Sequence, residues 1–159
     1  MTVRVGQGFD VHPFSDDPVR RLVLGGVTFE GGTGLVGHSD ADAVAHAVID
    51  ALLGAAGLGD IGQHFPDTDP ALADADSLEM LRQAAAAVRA AGWEPGNVDC
   101  TVVLEAPKLA PRRVEMEARL SDAVGAPVSV KATRSEGLGA IGRREGIACF
   151  AVALVTGQG

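Results

Sequence analysis

Three residues of this chain combine types and spacing that could do chemistry: Asp10, His12 and His46. Asp10 and His12 stand two apart at the end of a Val- and Phe-containing stretch that predicts a strand. In a strand, residues i and i+2 share a face, so one carboxylate oxygen and one imidazole nitrogen lie side by side while Val11 is expected to face the core. Such a pair is either half of a metal site or an Asp and a His that hydrogen-bond to each other. Asp42, His46 and Asp50 are spaced i, i+4, i+8 and form one stripe of a predicted helix, with Val44, Val48, Ile49, Leu52 and Leu53 on the stripe facing the core. A histidine amid small apolar residues is costly unless its ring nitrogens have partners. Asp50 is the expected acceptor for the nitrogen that does not ligate, and a core histidine satisfied by Asp42 or Asp50 without metal is the alternative. Taken together, one carboxylate and two imidazoles match catalytic zinc, which takes three protein ligands and keeps a position open. Structural zinc is closed by four ligands rich in Cys. The two cysteines, Cys100 and Cys149, each lie in an apolar strand-like run and read as buried thiols.

Strand, loop and helix must bring these groups together. Residues 2–9 and 21–29 are predicted strands, the second with a bulge or hairpin bend at Gly25-Gly26. A glycine-rich loop follows over 30–37. The helix 41–56 has Ser39 as its expected N-cap, Asp42 at the capping-box position, and Gly57 and Gly59 to stop it. Residues 59–76 form a long connection with two prolines and five aspartates, of a length usually functional or disordered. Asp76 and Glu79 begin a second helix that Gly92 ends. Then come a strand over 98–105, a helix from Pro111 to about 124, a short strand over 128–132 and a loop over 133–146. The near-continuous apolar run 147–155 is expected in the middle of the sheet. The interleaving predicts an α/β (α+β) fold: a single-layer mixed β-sheet with helices packed on one face. A neighbouring subunit would cover the other face. A length of 159 residues suits one domain, 1–159. No apolar run approaches the roughly 20 residues that span a bilayer, and the N-terminus is polar too early for a signal peptide, so a cytoplasmic location with no membrane partner is expected.

The net charge of −8 argues against a nucleic-acid partner, which needs a basic face. From Leu22 to Leu81 there is no Lys or Arg, while Glu30, Asp40, Asp42, Asp50, Asp60, Asp67, Asp69, Asp74, Asp76 and Glu79 all fall there with His38, His46 and His64; elsewhere 13 basic residues face 11 acidic ones. Acids without bases must be solvated, capped at helix ends or neutralised by metal ions.

The stretches GQGFDVHPF, LGGV, HSDADAVAHAVIDALLGAAGLGDIGQHFPDTDP, GNVD, APK, VKAT and GRREGIAC run in order from Gly6 to Cys149. In these, the chain resembles the 2-C-methyl-D-erythritol 2,4-cyclodiphosphate synthase family. The resemblance implies a step of isoprenoid precursor biosynthesis, in which 4-diphosphocytidyl-2-C-methyl-D-erythritol 2-phosphate gives a cyclic diphosphate and CMP. The substrate's own 2-phosphate attacks its β-phosphorus, which needs no protein nucleophile but does need orientation and charge neutralisation. It implies Zn2+ on Asp10, His12 and His46, next to the substrate, and a second divalent cation, Mg2+ or Mn2+, with Glu136 as its protein ligand. His38 and Ser39 would contact phosphate and the erythritol unit; Asp60, Ile61 and Gly62 would bind its hydroxyls; Phe65, Pro66, Asp67, Thr68 and Asp69 would cover it. The cytidine diphosphate part would lie against Leu104, Ala106, Pro107 and Lys108, and the α-phosphate against Ala132, Thr133, Arg134, Ser135 and Glu136, with His38, Thr133 and Arg134 in catalytic positions. The family assembles as a homotrimer with active sites between subunits.

Two departures stand out. Arg134 replaces a second threonine usual in the family; a guanidinium can donate to phosphate but has a longer reach. Ala140 replaces a phenylalanine that, with the arginine at position 143, lines a cavity on the trimer axis. A zinc-dependent phosphohydrolase using the same trio, and an oligomeric binding protein whose metals hold subunits together, are the competing readings.

Overall fold

The computed structural model describes residues 1–157. Its main sheet contains β1 (Thr2–Pro13), β4 (Trp93–Val103), β5 (Val128–Thr133) and β6 (Gly146–Gly157) in the order β1-β6-β4-β5. β6 is antiparallel to both neighbours and β4 is parallel to β5. The sheet is therefore mixed, and its apolar last strand is central, as expected. β2 (Leu22–Leu24) and β3 (Val27–Phe29) form a separate hairpin around Gly25 and Gly26.

Helix α1 (Ala43–Ala56) lies on β1 and β6, α3 (Ser77–Ala90) on α1 and β4, and α4 (Arg113–Val124) on α3 and β5. Only Asp50 and Gly54 of α1 escape burial, as befits a helix apolar all round. Its start differs from the expectation. Asp42, not Ser39, is the N-cap, and its carboxylate accepts from the backbone N–H groups of Val44 (3.1 Å) and Ala45 (3.0 Å). Gly57 ends the helix in the left-handed conformation. The 59–76 connection is more ordered than its composition suggested. It holds the one-turn helix α2 (Ile61–His64), capped by Asp60, and a 3-10 turn capped by Asp69. The 133–146 segment likewise contains a one-turn helix, α5 (Gly139–Gly142).

The closeness of α1 to β1 depends on glycine. A Cβ on Gly8 would stand 1.9 Å from the Ala47 carbonyl oxygen, and one on Gly6 2.1 Å from that of Ala51. The helix thus rests on strand backbone. By the period of two, Asp10 and His12 share the face of Gly6 and Gly8 and point towards α1. Val11 therefore faces away from the core, contrary to the expectation, and is 48% exposed. The same outer face carries Val3, Val5, Phe9, Phe150 and Val152, all exposed, with the Phe9 and Phe150 rings 4.9 Å apart. This patch is an apolar sheet face that none of the described residues covers. Among the described residues, no helix is long and apolar enough to cross a membrane.

Candidate active site

The end of β1 and the middle of α1 bring three ligand-type atoms together. Asp10 Oδ2 lies 2.8 Å from His12 Nε2 and 3.2 Å from His46 Nδ1, and the two ring nitrogens are 3.4 Å apart. His12 Nδ1 donates to the Val36 carbonyl at 2.8 Å, which leaves Nε2 with its lone pair. His46 Nε2 sits 2.8 Å from Ser77 Oγ and 3.1 Å from Ser39 Oγ. Asp50, the expected partner, does not reach His46; it accepts from the Ile61 N–H at 3.0 Å, across the turn that follows α1. Although both rings approach Asp10 Oδ2, that buried atom receives no well-formed hydrogen bond. A buried oxygen without a donor, converging with two imidazole nitrogens whose far sides are held, is a donor set suited to a divalent metal ion. Among the described residues it is the one cluster able to hold such an ion.

The charges agree with this arrangement. Burial raises the Asp10 carboxyl pKa, but the close approach and charge of the two histidine rings outweigh it and hold the group below the usual range. For His12, burial lowers the pKa; the nearby Asp10 carboxylate and the Val36 carbonyl more than reverse this and lift it above the ordinary imidazole value.

The trio opens into a cleft of about 410 Å³ that also exposes His38, Ser39, Ile61, Gly62, Phe65, Pro66 and Asp67, all predicted, and Gly37, Leu72 and Met80, which were not. Three predicted members are placed differently. Asp60 uses its carboxylate to cap α2 through the Gln63 N–H. Asp69 accepts from His38 Nε2 through its carbonyl (2.7 Å) and from the Ala71 N–H through its side chain. Neither of them, nor Thr68, lines the cleft.

The other predicted residues form a second group. Leu104, Pro107, Lys108, Ala132, Thr133 and Arg134 line a cleft of about 250 Å³ between the ends of β4 and β5. Ala106 and Pro107, joined by a cis peptide bond, also face an adjoining hollow of about 340 Å³. Ser135 and Glu136 follow β5, where Glu105 Oε1 accepts from the Ser135 N–H at 3.0 Å. Ala140, within α5, and Arg143, its C-cap, are exposed, and Arg143 pairs with Glu145 at 2.7 Å. Glu136 does not join the Asp10–His12–His46 cluster. Within one chain, then, the metal-type and the base-type groups line two clefts that share no residue.

The YgbB family model matches residues 3–156. The chain belongs to the YgbB family. Its relatives include a Bordetella petrii protein named 2-C-methyl-D-erythritol 2,4-cyclodiphosphate synthase, 57% identical across 96% of this chain and 94% of that one. A bifunctional IspD/IspF enzyme of Anaeromyxobacter dehalogenans is 56% identical over 96% of this chain. The chain spans about 40% of the length of that relative. Among solved structures, the bifunctional IspDF of Campylobacter jejuni superposes with a TM-score of 0.93 at 41% identity, over 99% of this chain and 43% of that one. A CDP complex of IspF from Plasmodium falciparum gives 0.84 at 33% identity, over 99% and 97%.

Arg20 escaped the reading of spacing altogether, and Asp42 was expected at the capping box or beside His46 but not as an anchor for the hairpin. Arg20 donates to the carbonyls of Leu35 (2.9 Å), Gly37 (3.1 Å) and Ser39 (2.6 Å). One guanidinium so pins the loop that carries Val36, His38 and Ser39. Asp42 is fully buried and, besides capping α1, accepts from Gly25 N–H (2.8 Å) and Gly26 N–H (2.7 Å), fastening the β2–β3 hairpin to α1. Burial, and then the charge of Asp40, push its carboxyl up to about 6 against the pull of those N–H groups. Arg20 and the Asp42–hairpin contact span 15 or more positions, beyond the reach of local spacing.

Proposed function

We propose that this chain converts 4-diphosphocytidyl-2-C-methyl-D-erythritol 2-phosphate to 2-C-methyl-D-erythritol 2,4-cyclodiphosphate and CMP, acting as one cytoplasmic domain. The observation that carries this reading is the convergence of Asp10 Oδ2, His12 Nε2 and His46 Nδ1 at one cleft. In the reaction a 2-phosphate oxygen bonds to the β-phosphorus and the bond to the bridging oxygen of CMP breaks, so no side chain need act as nucleophile. Bound at Asp10, His12 and His46, Zn2+ would supply positive charge to the diphosphate, and Mg2+ or Mn2+ with Glu136 would add to it.

The chain's own groups orient the substrate. His38 and Ser39 meet phosphate and the erythritol unit; Ile61 and Gly62 offer backbone to its hydroxyls, joined by whatever carboxylate capacity Asp60 retains; residues 65–69 cover it. Leu104, Ala106, Pro107 and Lys108 bind cytosine through the edge of their loop. Thr133, Arg134 and Ser135 donate to the α-phosphate, the guanidinium of Arg134 in place of a hydroxyl. The uncovered apolar sheet face supports a homotrimer in which the nucleotide cleft of one subunit faces the metal cleft of the next. In that assembly Ala140 and Arg143 lie near the axis.

Incubating the zinc-loaded protein with the diphosphocytidyl substrate tests the reading. CMP and a cyclic diphosphate in equal amounts are expected; a linear diphosphate would make the protein a metal-dependent phosphohydrolase, and no turnover a binding protein.

A further inference from the structure

Behind His46, away from the cleft, runs a chain of hydrogen bonds with a definite proton count. Ser77 Oγ, fully buried at the start of α3, is within 2.8 Å of His46 Nε2. The Ser77 hydroxyl donates to Asp40 Oδ1. Both carboxylate oxygens of Asp40 are held from elsewhere as well: Oδ2 accepts from the Ser77 N–H and Oδ1 from the Asp42 N–H, each at 3.1 Å. Asp40 therefore sits fixed, facing Ser77.

A serine hydroxyl has one proton. Given to Asp40, it cannot also be given to His46, so towards the ring Ser77 Oγ can only accept. The shorter of the two hydroxyl contacts of Nε2 is this one; Ser39 Oγ is at 3.1 Å. Nε2 must then carry the ring hydrogen, and Nδ1, the atom facing Asp10 and His12, is left with a bare lone pair.

We propose that Asp40, acting through Ser77, is a positioning residue that fixes the ligating tautomer of His46 and strengthens it as a metal ligand. The inference rests on reading Asp10, His12 and His46 as metal ligands. It gives a use to an acid that lies four residues before Val44 and 37 residues from its partner serine, and it joins the first turn of α3 to the metal site. Outer partners of this kind are worth about 10- to 100-fold in metal affinity.

Asp40→Ala is the direct test. Without the carboxylate acceptor the serine proton is free to turn to His46 Nε2, which places the ring hydrogen on Nδ1. Two measurements follow at pH 8: the ring tautomer of His46 in the metal-free protein, from nitrogen-15 NMR of the histidine side chains, and the zinc dissociation constant by chelator competition. Wild type is expected with hydrogen on Nε2, and Asp40→Ala with hydrogen on Nδ1 and zinc bound about 10- to 100-fold more weakly. Ser77→Ala, which loses the acceptor, is expected to weaken zinc to a similar degree, and Ser77→Thr to restore it; either serves if Asp40→Ala does not fold. Hydrogen on Nδ1 in the wild type, or zinc held as tightly by Asp40→Ala and Ser77→Ala as by wild type, would overturn the proposal. A wild type that binds no zinc would sink the metal reading, while the tautomer still decides the role of Asp40.

Discussion

At the scale of single residues, backbone donors take the place of bases for six acids of the stretch that has no Lys or Arg. Asp40, Asp42, Asp50, Asp60, Asp69 and Asp76 each accept at least one main-chain N–H. A carboxylate at a helix start needs no lysine, because the unpaired N–H groups of the first turn supply partial positive charge. Asp10 differs in having only the two imidazoles beside it, and its titration with His12 leads to a pH prediction. In metal-free protein the His12 pKa is raised above 6.5, so its contribution to stability is complete below 6.5 and fades as pH rises through the raised value. Asp10, lowered below 3.8, contributes above 3.8 and loses this as pH falls through its folded value. The pair thus favours the metal-free fold in mild acid. Metal binding needs His12 neutral and gains as pH rises. The melting-temperature difference between zinc-loaded and chelator-stripped protein is expected to widen from pH 5.5 to pH 8; a constant gap would mean that His12 is not a ligand.

Among the elements, periodicity and composition made α1, α3 and the central β6 legible, since long apolar runs of one period leave few alternatives. The errors arose where local pattern leaves a choice. Ser39 and Asp42 are both good caps, and tertiary contact decides between them: Asp42 also reaches the Gly25 and Gly26 amides, whereas Ser39 turns to His46. A period of two shows that Asp10 and His12 share a face but not that it is the inner one. Gly6 and Gly8, in phase with them, were the available signal, because strand glycines mark close backbone approach. At Gly8 an added methyl would meet main-chain atoms at 1.9 and 2.8 Å. Gly8→Ala is expected to cost roughly 3 kcal/mol in urea denaturation and, by displacing α1 next to His46, to weaken zinc binding. Gly54, on the exposed side of the same helix with its nearest neighbour at 3.9 Å, is the control. Gly54→Ala should be neutral or stabilising by up to about 1 kcal/mol. Equal losses at the two positions would show that the backbone contact does not set the site.

For the whole molecule, the metal-type half of the site could be read from the residues because its members converge within one chain. How the second cleft meets it could not, since in the proposed homotrimer that depends on surfaces of separate copies. The apolar outer face of β1 and β6 and the two clefts without a common residue suit an enzyme whose working unit is a contact between subunits. A consequence for inheritance follows. Two damaged copies of the gene can complement each other if one encodes an intact metal cleft and the other an intact nucleotide cleft. Asp10→Asn and Lys108→Ala proteins, each inactive alone, are expected to regain activity when unfolded, mixed in equal amounts and refolded together. Random assembly gives about a quarter of the wild-type sites, measured as CMP released per chain. A mixture as silent as its components would place each complete site within a single subunit.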